Sequence, residues 1–171
     1  HVVRLFEDED VVHVEGKVDP VRDLEIISEE LKQKDIEWMT KLKADLEKKC
    51  VCEPRKYKDE LALCTKVLDF LLNDPRPVRA ADWSQVEIEY IESLNILTAK
   101  PTIYLLNLDE KSYITKKNKF LGPVAQWIKN FSGEPIIPVS AIFEHELEDM
   151  GPEAAENVLK EKGAKSAIPR I

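Results

Sequence analysis

An α/β fold is predicted for this 171-residue chain: a parallel sheet with an antiparallel helical hairpin inserted between its strands. Three observations predict it. Apolar runs of strand length occur at residues 2–6, 101–106 and 135–139, and the last two end on polar residues. Between the first run and the second, apolar residues return every three or four positions over two long stretches, which is the period of a helix. Prolines at 54, 75, 77 and 123 then divide the chain into elements.

The elements follow in order. Residues 2–6 form the first strand, and residues 7–10 an acidic turn. Asp19 and Pro20 pair a helix N-cap with proline at the first helical position. From Leu24 to about Lys49 the pattern is helical, with Leu24, Ile27, Leu31, Trp38, Leu42 and Leu46 on one side. At about 1.5 Å per residue such a helix is roughly 39 Å long, too long to lie wholly on one compact domain. The stretch 52–56 breaks it. Tyr57, Leu61, Cys64, Leu68 and Leu71 then alternate spacings of four and three, a coiled-coil seam, and the short loop makes the two helices antiparallel neighbours. Trp38 on this seam reads as packing. Residues 73–77 end the second helix. A shorter helix at about 84–94 leads into the second strand. A helix from Glu110 to about Phe131 is expected to kink or split at Gly122-Pro123, and 152–162 forms the last one. The domain boundaries expected are 1–23 and 83–160 for the sheet domain, 24–82 for the helical insertion and 161–171 for a linker.

Composition removes several classes of function. The formal net charge of −8 argues against a general or sequence-specific nucleic-acid binder, because phosphate neutralisation needs clustered Lys and Arg. No apolar stretch approaches the roughly 20 residues of a membrane helix, and no signal peptide is visible. Cys50, Cys52 and Cys64 lack paired CxxC spacing and read as reduced thiols. His1, His13 and His145 are too scattered for metal ligands or a catalytic pair. Neither catalytic nor metal-ligating residues are nominated.

The most informative feature is the tetrapeptide Asn107, Leu108, Asp109, Glu110 at the end of the second apolar run. It looks like the base-reading loop of a P-loop nucleotide-binding domain with the guanine code altered. In the unaltered Asn-Lys-x-Asp form, the last carboxylate accepts two hydrogen bonds from guanine N1–H and the 2-amino group. Here Glu110 replaces the aspartate and Leu108 the lysine. The longer glutamate places its carboxylate too far out to repeat that pairing unless the loop moves. The context fits, since ligands favour the carboxyl ends of parallel strands. The third apolar run ends in Ser140 and Ala141, the position of the short element that closes over the base in that fold. A polar turn after a core strand is the bland alternative.

Residues 1–10, 13–23, 107–113 and 116–119 carry a resemblance that spans nearly the whole chain: it resembles the YchF/Obg-like ATPase family. The resemblance implies a cytoplasmic nucleotide hydrolase that favours ATP over GTP and associates with the ribosome. It implies the C-terminal half of a P-loop NTPase (G-domain) sheet with an inserted coiled-coil hairpin. Asn107, Leu108, Glu110, Ser140 and Ala141 would meet the base, Ser140 and Ala141 through backbone N–H groups. Phe6 matches a family position lining the adenine pocket. Lys116, Lys117 and Lys119 could touch ribosomal RNA, although a solvated basic surface is the simpler account.

Neither a G-x-x-x-x-G-K-[ST] phosphate loop nor an Asp-x-x-Gly motif occurs among the five glycines. The chain is therefore read as an internal stretch of a longer protein, with phosphate binding, Mg2+ ligands and a TGS domain supplied elsewhere. The first strand would present an open apolar edge, which invites self-association. Two rival readings remain open. One is a conventional GTPase with a drifted base motif, and the other is a helical interaction module with a vestigial nucleotide site.

Overall fold

The computed structural model describes residues 1–8 and 18–171. Residues 9–10 of the acidic turn and the start of the 13–23 motif lie outside the described residues. The described chain divides into two compact units: residues 1–24 with 102–171, and residues 25–101.

The first unit is built on a three-stranded parallel sheet in the order β1 (Val2–Arg4), β2 (Tyr104–Asn107), β3 (Ile136–Val139). Arg4 stands opposite Asn107, and Asn107 opposite Val139. All three carboxyl ends therefore lie at one edge. Side chains alternate across the sheet. Val3, Leu5, Tyr104, Leu106 and Leu108 pack on one face, against Val124 and Ile128 of α5 (Leu121–Phe131) and Leu24. The opposite face carries Leu105, Ile137 and Val139, which pack with Ala167. Residues expected to form a linker thus include a core residue of this unit. Among the described residues β1 pairs with β2 alone.

The helix that follows the second strand is split, as expected, but not at Gly122-Pro123. Helix α4 (Glu110–Thr115) ends with Lys116 in the left-handed region at φ 56°. Pro123 lies in the first turn of α5, where a missing N–H costs nothing. Asn118 fills the gap between the helices. Its Oδ1 accepts the Phe120 N–H at 2.8 Å, and its Nδ2 donates to the Leu5 carbonyl at 2.7 Å. One helix was missed in the sequence: α6 (Ala141–Met150), which the Ser140-Ala141 element opens. Gly151 then leads into α7 (Pro152–Lys162), whose bounds match the expectation.

The second unit is helical. Helix α1 (Pro20–Cys52) begins at the expected proline, with Asp19 Oδ1 accepting the Arg22 N–H at 3.2 Å. Glu53 alone separates it from α2 (Pro54–Asn73). The antiparallel order is plain from three contacts: Lys32 Nζ donates to the Asp74 carbonyl, Met39 meets Cys64, and Lys49 lies over the Tyr57 ring. The α2 side of the seam is as read, with Cys64, Leu68 and Leu71 buried. The α1 side is not. Trp38 is 51% exposed and Ile27 is also exposed, while Asp35, Met39 and Leu46 are buried. The helical spacing puts Trp38 on the seam, but its neighbour Met39 holds that position. Leu24 is buried with the sheet cluster instead.

The helical unit extends past residue 82, to Pro101. Helix α3 (Gln85–Leu94) contributes Ile91 to a core of Met39, Leu46, Cys64, Val67, Leu71, Val78 and Ile96. Its start is a capping box: Ser84 N–H donates to Glu87 Oε2 at 2.9 Å, and Glu87 also pairs with Lys66 of α2. Lys66, and then Ser84, pull the Glu87 carboxyl down to about 2. Asp35 is 2% exposed and accepts the N–H groups of Leu97 and Thr98 at 2.8 and 2.7 Å. It joins the middle of α1 to the end of the unit.

Two predictions follow from these anchors. Asp35→Ala orphans two N–H groups and should cost on the order of 3 kcal/mol in urea unfolding, whereas Asp35→Asn, which keeps an acceptor, should lose less. An equal loss in both would mean that the charge, and not the pairing, matters. For Glu87 the folded pKa lies below the ordinary 4.5, so its contribution is present above pH 4.5 and fades as pH falls toward 2. The gap in melting temperature between the wild type and Glu87→Gln should therefore narrow over that interval. A gap independent of pH would contradict the assignment.

Candidate functional site

The parallel register carries the chain out of β1, β2 and β3 at one edge, so Leu5, Leu108 and Ser140 follow one another across it, with Phe6 one residue beyond. Asn107 is the hub. Its carbonyl accepts the Leu5 N–H at 2.8 Å, and the next residue, Leu108, donates to the Val139 carbonyl at 2.8 Å. Its side chain reaches past β3: Oδ1 accepts the Ala141 N–H at 3.1 Å. The two motifs singled out in the sequence are joined by this bond. Asn107 thus tethers the neighbouring loops through one side-chain oxygen, and its amide N–H2 is the group that can meet a ligand.

The structure places the remaining residues unevenly. Leu108 is 2% exposed and packs with Val3, Leu106 and Val124. Its side chain is enclosed in the core of the sheet unit and anchors the loop there. Ser140 is 0% exposed, and its hydroxyl has no hydrogen-bond partner among the described residues. The Ala141 N–H, expected to face a base, is taken by Asn107. Phe6 is half-buried, with the Arg4 guanidinium 4.8 Å from its ring centre. That guanidinium also donates to the Phe6 carbonyl at 3.0 Å and so fixes the chain where it leaves β1.

Asp109, which received no role from the sequence, caps α4. Its Oδ1 accepts the Ser112 N–H at 2.9 Å. Burial opposes its charge, but hydrogen bonds from the Ser112 side chain and backbone outweigh that and hold the carboxyl below its usual range. Glu110 is then the first residue of the helix, and its carboxylate pairs with Lys162 of α7. The same contact raises the Lys162 ammonium above its ordinary range.

A second acid, Glu144 of α6, was also invisible in the sequence. It is buried, and it accepts the Ser166 hydroxyl and the Ala167 N–H, each at 2.6 Å. Tyr113 of α4 donates its hydroxyl to the Lys165 carbonyl at 2.7 Å. Burial, and then the nearby Glu144, push the Tyr113 phenol up. The segment 162–167 is therefore gripped by both helices that begin at the site. An Asx-cap signal, Asp109-x-x-Ser112, could have been read from spacing; the Glu144 and Lys162 contacts join residues 22 and 52 positions apart and leave no local pattern.

Lys119, one of the basic residues, pairs with Glu7 at 2.7 Å. Among the described residues no group of three or more His, Cys, Asp or Glu could hold a metal ion, and no helix is long and apolar enough to cross a membrane. The edge offers an amide, a paired carboxylate, an aromatic ring and backbone groups.

No family profile matches the chain. Obg-like ATPase 1 of rice (Oryza sativa subsp. indica) is 45% identical over 172 residues, which is 100% of this chain and 43% of that protein. Obg-like ATPase 1 of Saccharomyces cerevisiae is 46% identical over 176 residues, 99% of this chain and 44% of its own length. Among solved structures, the YchF GTPase of Schizosaccharomyces pombe superposes with a TM-score of 0.90 at 40% identity, covering 99% of this chain and 46% of that one. The chain thus spans less than half the length of the relatives it matches.

Glu144→Gln should loosen the 162–167 segment while leaving the sheet intact. The Ala167 amide is expected to exchange with solvent about tenfold faster, a loss of about 1.4 kcal/mol of protection. Unchanged protection would show that Ala167 packing, and not the carboxylate, holds the segment.

Proposed function

We propose, for a chain that belongs to the Obg-like ATPase (YchF) family along its whole length, that the carboxyl edge of its sheet recognises the base of ATP. The observation that carries this reading is the bond from Asn107 to Ala141. It links the ends of β2 and β3 and leaves the Asn107 amide group free to donate to a purine. Glu110 replaces the residue that would read guanine. With one oxygen engaged by Lys162, it is poorly placed to accept guanine's two donors. Adenine offers a single exocyclic donor and suits a single remaining acceptor.

In the whole protein this base site would act in ATP hydrolysis, with GTP the weaker substrate. Phosphoryl transfer depends on phosphate positioning and on magnesium. No step through the metal is assigned to the residues of this chain. Their part is to hold and orient the base: Asn107 by its amide, Phe6 by its ring, Glu110 by one carboxylate oxygen. The helical unit is the part assigned to a partner, with the ribosome as the partner the family resemblance suggests and the cytoplasm as the compartment. Its half-exposed Trp38, Ile26 and Ile27 on α1 support that assignment. Among the described residues β1 pairs on one side only, which supports self-association as a further property.

Competition between ATP and GTP for the whole protein tests the reading. ATP should bind more tightly, and Asn107→Ala should weaken it by about tenfold or more, since both a base contact and the β2–β3 tether are lost. Tighter binding of GTP would overturn the adenine assignment. ATP binding untouched by Asn107→Ala would instead favour a helical interaction module with a vestigial site.

A further inference from the structure

Lys162 stands 52 positions from Glu110 in sequence, and their side chains form an ion pair. The two are 38% and 34% exposed, so the pair is partly shielded from solvent. The lysine is not a free arm that happens to meet an acid. Its ammonium also lies 5.4 Å from the centre of the Phe143 ring on α6. It is the last residue of α7, and residues 165–167 just beyond are held by Tyr113 and Glu144. Position and partner are both fixed by the surrounding fold.

We propose that Lys162 is the specificity-determining residue of the base site, excluding guanine by occupying Glu110. The inference rests on the adenine reading above. A carboxylate reads guanine with two oxygens, one for N1–H and one for the 2-amino group, and with its full negative charge. Lys162 takes one oxygen of Glu110 and offsets that charge. What remains accepts one donor, as the adenine 6-amino group requires. An ammonium beside the carboxylate is also repelled by guanine's N1–H and attracted by the lone pair at adenine N1. The substitution of aspartate by glutamate therefore does not act alone: the longer side chain is what reaches Lys162, and the pair, not the acid, faces the base edge. Lys162 is a positioning residue, since it acts through Glu110.

The test compares ATP and GTP dissociation constants by calorimetry for the whole protein, its Lys162→Ala and Lys162→Arg variants, and Lys162→Ala combined with Glu110→Ala. Melting curves confirm that each variant is folded. Lys162→Ala should lower the ratio of ATP to GTP affinity by about tenfold, mainly by tightening GTP. Lys162→Arg should restore most of it. In the Glu110→Ala background the ratio should no longer depend on the lysine, so the effect runs through Glu110, while the tightening of GTP in Lys162→Ala is what a merely structural lysine would not produce. A wild type that prefers ATP, with the ratio unchanged in Lys162→Ala, would overturn this inference and leave the adenine reading standing. A wild type that prefers GTP would overturn both.

Discussion

Parallel pairing on both sides of β2 constrains everything else in the sheet unit. Parallel neighbours cannot be joined by a tight turn, so each connection must leave the sheet, cross a face and return. Between β2 and β3 that crossover is α4 and α5, and α5 closes one face with Val124 and Ile128. Between β1 and β2 the chain includes the whole of the helical unit. The same constraint delivers three carboxyl ends to a single edge, which is where a parallel sheet presents its loops to a ligand. Asn107 can join the motifs of two strands because the register sets it beside Val139.

The candidate site is held from behind as well as from below. Helix α4 starts at the base loop and is capped by Asp109; α6 starts where β3 ends. Both reach the segment 162–167, α4 through Glu110 and Tyr113 and α6 through Phe143 and Glu144. A loop that reads a base needs its donors fixed before the ligand arrives, because ordering them on binding would cost affinity. In the proposed base site Asp109, Tyr113, Phe143 and Glu144 do that fixing.

Local signals carried most of the architecture. Proline at the start of α1 and α2, the Ser84 cap and the alternating apolar runs all act within a few residues, so the sequence displays them directly. The helical period also placed Cys64, Leu68 and Leu71 inside. It failed for Trp38 and Ile27, because apolarity does not say which side of a long helix finds a partner, and the buried position went to the polar Asp35. Helix α6 escaped notice because its ten residues carry four acids and a histidine, and so show little apolar stripe. For the site, Asn107 and Ala141 were legible from their motifs, whereas the bond between them, the enclosure of Leu108 and the partners of Glu110 and Glu144 depend on contacts between distant segments.

The carboxylate of Asp35 bears on how such a chain assembles. Val2 must find Leu105 across an excursion of about a hundred residues, and closing a loop of that size late in folding is slow. Helix contacts form from near neighbours and need no such search. Once α1 and α2 have paired, Asp35 gathers Leu97 and Thr98 to the middle of α1, and the exit of the excursion is brought back toward its entrance. Within the helical unit, the residues that leave toward β2 are thus tied by one side chain to the helix that enters from β1.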